Sequence, residues 1–257
     1  MIPNPIHKVL STLSTHEVQY LLMGGQACVF YGAAEFSRDC DVAILCAAKN
    51  LERLGVALDE LAAEPIAVPP LTVEYLERGH AVHFRCRSPE AAGMRVDVMS
   101  KMRGVSPFEE LWERRTTLED ESGARIELMA LSDVVAAKKT QRDKDWPMIR
   151  RLVEAHYSQH RESATEERTL FWLREARTPE ILIQVAANAR QLAELLAGGR
   201  PLLKHAQSGD RIGVEVGLAE EERYEREADR QYWQPLKEEL EILRHKQDAS
   251  RSSTSAD

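Results

Sequence analysis

Asp39 and Asp41 sit one residue apart in EFSRDCDVAIL, residues 35–45, at the start of an apolar run. Residues i and i+2 of a strand point to one face, so the two carboxylates project together, with Cα atoms roughly 6.5–7 Å apart at the usual strand rise. Like charges on one face repel, and partial burial raises the cost. A bound divalent cation removes the difficulty, because hard cations take carboxylate oxygens. Taken alone, the pair fits a strand end whose aspartates point into water equally well. Cys40 lies between them, and alternation turns it to the opposite face, toward a core. A third carboxylate, Asp97, lies in the alternating segment MRVDVMS, 94–100.

The elements that must position these residues follow from periodicity and breakers. Residues 5–15 carry Ile6, Val9, Leu10 and Leu13 at helical spacing. VQYLLM, 18–23, reads as a short strand broken by Gly24 and Gly25, and QACVFYG, 26–32, as a short helix ending at Gly32. The strand with Asp39 and Asp41 runs to Leu45, and 48–63 carries a helical apolar stripe. EPIAVPP is a loop or an edge strand. HAVHFRCR, 80–87, and 94–100 alternate and pair as a hairpin with a longer loop. A helix near 107–114 and a short strand near 125–128 close this region.

Beyond about residue 130 the pattern is helical. LSDVVAAKKTQR, 131–142, has Ser132 as a candidate N-cap. WPMIRRLVEAHY, 146–157, carries Pro147 in its first turn. Thr178-Pro179-Glu180 opens a helix that extends to Gly198-Gly199. Residues 218–246 are charged and helical, with an interruption expected at Pro235. QDASRSSTSAD, 247–257, has the composition of a disordered tail.

Composition narrows the classes. A net charge of −8 argues against broad, non-specific nucleic-acid binding, although a local basic groove is compatible with it. Hydrophobic content of 43% suffices for a proper core. No apolar run approaches the roughly 20 residues of a membrane span, and MIPNPIHKVL lacks the features of a signal peptide. Cys28, Cys40, Cys46 and Cys86 show no CxxC spacing, which fits reduced thiols in a cytoplasmic protein. His80 and His83, at i,i+3, suit neither a strand face nor a metal motif and read as ordinary residues.

Met23-Gly24-Gly25-Gln26-Ala27, a short helix, then Ser37-Arg38-Asp39-Cys40-Asp41 and the later Asp97 resemble the nucleotidyltransferase superfamily to which DNA polymerase β belongs. That family's signature is a glycine turn, a short helix, a DxD strand and a third carboxylate on a neighbouring strand. Residues 26–38 separate the glycines from the first aspartate, a spacing within the family's range. The closest likeness is to small bacterial AbiEii-type toxin nucleotidyltransferases. LSDVVAAKKTQRDKDW resembles their helical segment, with Lys138, Arg142, Lys144 and Asp145 at the matching positions. The likeness covers about residues 18–155. Glu35 departs from it, standing where relatives commonly carry arginine, and Ser37 stands where threonine is usual.

The resemblance implies an α/β (α+β) fold: a mixed-sheet nucleotidyltransferase core over 1–130, a helical region over 131–246 and the tail 247–257. It implies transfer of a nucleoside monophosphate from a nucleoside triphosphate to RNA, a protein or a small molecule. Asp39, Asp41 and Asp97 would hold Mg²⁺ or Mn²⁺, and Asp97 would help remove the acceptor proton. Gly24, Gly25 and Ser37 would face phosphate, the turn through its backbone N–H groups, with Lys138 and Arg142 toward the triphosphate charge. By family analogy alone, the protein would be a toxin with an antitoxin partner. The alternative is a non-catalytic nucleotide-binding or regulatory protein that retains the fold.

Overall fold

The computed structural model describes residues 5–119, 123 and 125–254, with side chains to residue 249. The chain is α+β. Its compact packing forms two units that do not follow sequence order: one takes Met1–Val29, Phe36–Ala137 and Gln231–Asp257, the other Phe30–Glu35 and Lys138–Arg230.

The first unit is built on a seven-stranded mixed sheet. In chain order its elements are α1 (Pro5–Thr15), β1 (Tyr20–Met23), α2 (Gly24–Phe30), β2 (Asp39–Ile44), α3 (Ala48–Glu60), β3 (Glu64–Pro65), α4 (Val73–Arg78), β4 (Val82–Arg85), β5 (Arg95–Met99), α5 (Phe108–Glu113), β6 (Thr116–Glu119), β7 (Arg125–Leu128) and α6 (Leu131–Ala137). The strand order is β3–β4–β5–β2–β1–β7–β6. β2 pairs parallel with β5, and β1 parallel with β7; the remaining pairs are antiparallel.

The apolar pattern accounts for this arrangement. β1 is buried along its whole length, as befits an inner strand covered on both faces. Asn50, itself buried, ties the sheet to α3: its side chain accepts from the Gln19 N–H at 2.7 Å and donates to the carbonyls of Gln19 and Leu45 at 3.1 and 2.9 Å. β3 is an edge strand that tolerates Pro65, since an edge position needs no ladder donor. The expected 80–87 and 94–100 hairpin forms as β4 and β5. β6 was not anticipated: TTLE offers only Leu118 as an apolar residue, and its register on β7 supplies the pairing. All four cysteines are free thiols.

The second unit is helical: α7 (Asp145–His160), α8 (Glu166–Glu175), α9 (Pro179–Asn188), α10 (Arg190–Leu196), α11 (Leu202–Ser208) and the first part of α12 (Arg211–Thr254). Its interior holds Trp172, Leu173, Leu182, Ala186, Leu203 and Val214. Several expected boundaries move. Ser132 lies inside α6, which starts at Leu131, and does not stand before it as a cap. The single helix expected from 179 to 199 is two, broken at Ala189 with φ −128° and ψ 54°. The Thr178 hydroxyl bonds Glu154 in place of capping α9. α12 passes through Pro235 without a break and extends to Thr254, across residues whose composition suggests disorder; residues 255–257 lie outside the described ones. Pro235 is exposed, so the carbonyl it cannot satisfy has access to water.

The last part of α12 belongs to the first unit. His80 is buried there with Nε2 2.7 Å from Glu239 Oε2, and Arg78 pairs with the same glutamate. Gly79 closes α4 at φ +101°, and a Cβ on it would meet the Tyr232 hydroxyl at 2.5 Å. Among the described residues no helix is long and apolar enough to cross a membrane.

Candidate functional site

Alternation on three neighbouring strands separates two faces of the sheet. Cys40, Val42, Val82, Phe84, Val96 and Val98 are buried on one. Asp39, Asp41, His83, Arg95 and Asp97 are half-buried on the other. The parallel β2–β5 register sets Asp41 beside Asp97 and Asp39 beside Arg95, and the β4–β5 register sets His83 beside Asp97. Directly paired residues share a face, so three carboxylates, one guanidinium and one imidazole lie together.

The glycine turn closes on this face. Gly24 has φ +64°, and a Cβ there would lie 2.0 Å from Asp41 Oδ2. A Cβ at Gly25 would lie 2.4 Å from Ser37 Oγ. The turn is therefore bare because Asp41 and Ser37 occupy the space that side chains would need. The Gly25 N–H donates to Asp41 Oδ2 at 3.4 Å, so this backbone donor serves the aspartate. α2 begins at the glycines themselves, ahead of the expected position 26. Gln26, buried, donates to the Ser37 carbonyl at 2.9 Å, and the Ser37 hydroxyl donates to the Asp39 carbonyl at 3.4 Å. That hydroxyl proton is used within its own strand entry.

Asp97 is the best-held of the three. Its Oδ1 accepts from Arg95 Nε at 2.7 Å and lies 2.9 Å from His83 Nδ1. Burial pushes the Asp97 carboxyl up, but the hydrogen bonds and charges of His83 and Arg95 outweigh it and hold the group below the usual carboxylate range. The bond to Asp97 raises Arg95 in turn, and the charges of Asp97, Asp39 and Asp41 add to that effect. Arg95 is thus a counter-ion supplied by the chain to all three carboxylates.

Among the described residues no group of three or more His, Cys, Asp or Glu is gathered as a metal-binding cluster. The donor chemistry nevertheless fits a hard divalent cation, with carboxylate oxygens from two neighbouring strands on one face.

Lys138 and Arg142 belong to the second unit. They were expected on a helix, but α6 ends at Ala137. The following turn is held by buried Asp145, which accepts from the Thr140 hydroxyl at 2.7 Å and pairs with Lys138 Nζ at 3.3 Å and Arg142 Nε at 3.8 Å. The Gln141 N–H goes to Asp229 at 2.8 Å and the Arg142 N–H to the Thr140 hydroxyl at 3.1 Å. The Thr140 N–H turns to the Lys138 carbonyl at 2.8 Å, so the donors that would continue the helix are satisfied in other ways, those of Gln141 and Arg142 by side chains.

His83 and Arg95 were missed as site residues. Their signal was present: Arg95 lies two residues before Asp97 on an alternating strand, and the hairpin register brings His83 opposite it. No family model matches the chain, and no curated protein matches it.

Proposed function

We propose that this chain is a metal-dependent nucleotidyltransferase, moving a nucleoside monophosphate from a nucleoside triphosphate to an RNA, protein or small-molecule acceptor with release of pyrophosphate. The observation that carries this reading is the direct pairing of Asp41 with Asp97, with Asp39 on the same face beside a glycine turn that closes on Asp41. Asp39 and Asp41 would hold Mg²⁺ or Mn²⁺, and Asp97 would complete the ligand set. Bound ions supply charge stabilisation for the attacking and leaving oxygens. The chain contributes the rest. Arg95 and His83 fix the Asp97 carboxylate, which favours a ligand role for Asp97 over that of a base. The Gly24-Gly25 turn holds Asp41 in place.

A second reading has an observation of its own. Arg95 is hydrogen-bonded to Asp97 and feels the charges of Asp39 and Asp41, so the chain itself supplies part of the positive charge that a metal would bring, as a non-catalytic nucleotide-binding protein would require. Incubation with each labelled nucleoside triphosphate, Mg²⁺ or Mn²⁺ and cell extract separates the two. Transfer of label that disappears in Asp39→Asn and Asp41→Asn supports the enzyme. Metal-independent triphosphate binding with no labelled acceptor, unchanged in both variants, supports the binding protein and rejects the enzyme.

A further inference from the structure

The second unit contains a cleft of about 460 Å³, lined among others by Lys139, Trp146, Arg177, Arg200, Glu221 and Tyr224. This volume lies within the roughly 300–1,000 Å³ typical of small-molecule sites. Arg174, Glu175 and Glu225 complete its charges, so four cations face three carboxylates.

The pairing of those charges is uneven. Lys139 Nζ lies 2.7 Å from Glu175. Arg177 and Arg200 share one partner, Glu221: Arg177 NH1 reaches it at 2.7 Å, and Arg200 Nε and NH2 reach it at 2.9 Å. Arg200 is largely committed, since its NH1 and NH2 also donate to the carbonyls of Leu173 and Ala176 at the end of α8. Arg177 is not. A guanidinium has five N–H donors, and Arg177 directs NH1 to Glu221 and NH2 to the Leu218 carbonyl while its Cζ lies 5.0 Å from the Trp146 ring centroid. Arg177 is only 11% exposed and Arg200 only 10%. Arg177 and Arg200 are hydrogen-bonded to the same carboxylate in a poorly hydrated place, while Glu222 and Glu175 act on Arg177 through their charge alone, so a bound anion would give Arg177 a second hydrogen-bonding partner. Burial, aided by the charge of Arg200, outweighs the charges of Glu221, Glu222 and Glu175 and pulls Arg177 down from its ordinary value. Arg174 stands exposed at the rim, with no ion pair among the described residues. Tyr224, 74% exposed, adds an aromatic surface at the mouth.

We propose that this cleft binds a small phosphomonoester bearing a ring, of the size of a nucleoside monophosphate. Arg177 and Arg174 take the phosphate, whose planar, forked recognition by guanidinium groups outmatches that of a single carboxylate. Tyr224 covers the ring. Neither role depends on nucleotidyl transfer.

Calorimetry of the full chain in EDTA, with AMP, inorganic phosphate and adenosine as separate probes, tests this. The expected result is saturable AMP binding, weaker phosphate binding and none with adenosine. Arg174→Ala, a change at an exposed position, weakens AMP about tenfold, and Tyr224→Ala weakens AMP but not phosphate. Asp41→Asn leaves AMP affinity unchanged, which places the ligand away from the strand carboxylates. Absence of saturable AMP binding, or affinity indifferent to Arg174→Ala, makes the arginines a structural network only. Loss of AMP binding in Asp41→Asn overturns the proposal by moving the ligand to the other site.

Discussion

Alanine at position 24 tests the closure of the glycine turn on Asp41. Gly24 sits at φ +64°, where an L side chain costs about 1–2 kcal/mol. The added Cβ also lies 2.0 Å from Asp41 Oδ2, 2.5 Å from its Cγ and 2.6 Å from its Cβ. The carboxylate can swing away, but the Asp41 Cβ is fixed to β2, which is paired on both sides. Overpacking of this kind costs about 1–3 kcal/mol. The sum is roughly 2–5 kcal/mol of lost stability. Asp41→Gly removes all three contacts and leaves the backbone cost alone, so Gly24→Ala in that background costs only about 1–2 kcal/mol. The coupling between the two positions is then about 1–3 kcal/mol. Urea unfolding of the four proteins in EDTA, followed by circular dichroism, measures it. A Gly24→Ala protein within about 0.5 kcal/mol of the parent, or a cost unchanged by Asp41→Gly, would refute the reasoning.

Asp41→Asn keeps an acceptor for the Gly25 N–H while removing a charge, so its metal-free melting temperature is expected to equal or exceed the parent's, and the stabilisation the parent gains from Mg²⁺ plus nucleotide is expected to vanish. Asn50→Ala leaves the Gln19 N–H without its acceptor and takes one of two donors from each of the Gln19 and Leu45 carbonyls, and urea unfolding should show a loss of about 1–3 kcal/mol. His156 accepts the Trp172 indole N–H at Nδ1, 2.9 Å away, and burial, aided by the charges of His160 and Arg168, lowers its pKa to about 4. Because the folded value lies below the ordinary 6.5, the unfolded chain takes up the proton first. Melting temperature should therefore fall as pH drops from about 6.5 toward 4, and His156→Gln, which can still accept from the indole, should flatten that fall.

The DxD strand, the neighbouring strand of Asp97 and the hairpin before it were legible because strict alternation with buried Cys40, Val42, Val96 and Val98 leaves one register that keeps the carboxylates off the core. What escaped lies in the partners. KKTQR is made of good helix formers apart from Thr140, and its release from α6 depends on Asp145, Asp229 and Thr140 capturing its side chains and backbone N–H groups. Ala189 carries no residue type that marks a helix break. Proline at 235 suggests an interruption that an exposed helix face does not need. His83 meets Asp97 only through the β4–β5 register, whereas Arg95 lies two residues before Asp97 on the same strand face, a spacing the sequence already showed.

α12 has a consequence for the order in which the protein is made. The ribosome delivers α4 and His80 early, and folding during synthesis starts from the N-terminal side. Leu236 and Glu239, which cover and pair that region, emerge only after every residue of the second unit. Until then the nascent chain holds the seven strands but not the helix that shuts His80 away from water. A ribosome-bound chain stopped at residue 230 lacks the glutamate that pairs with His80 and the leucine beside Gly79, so this corner of the first unit is completed only when the end of α12 arrives.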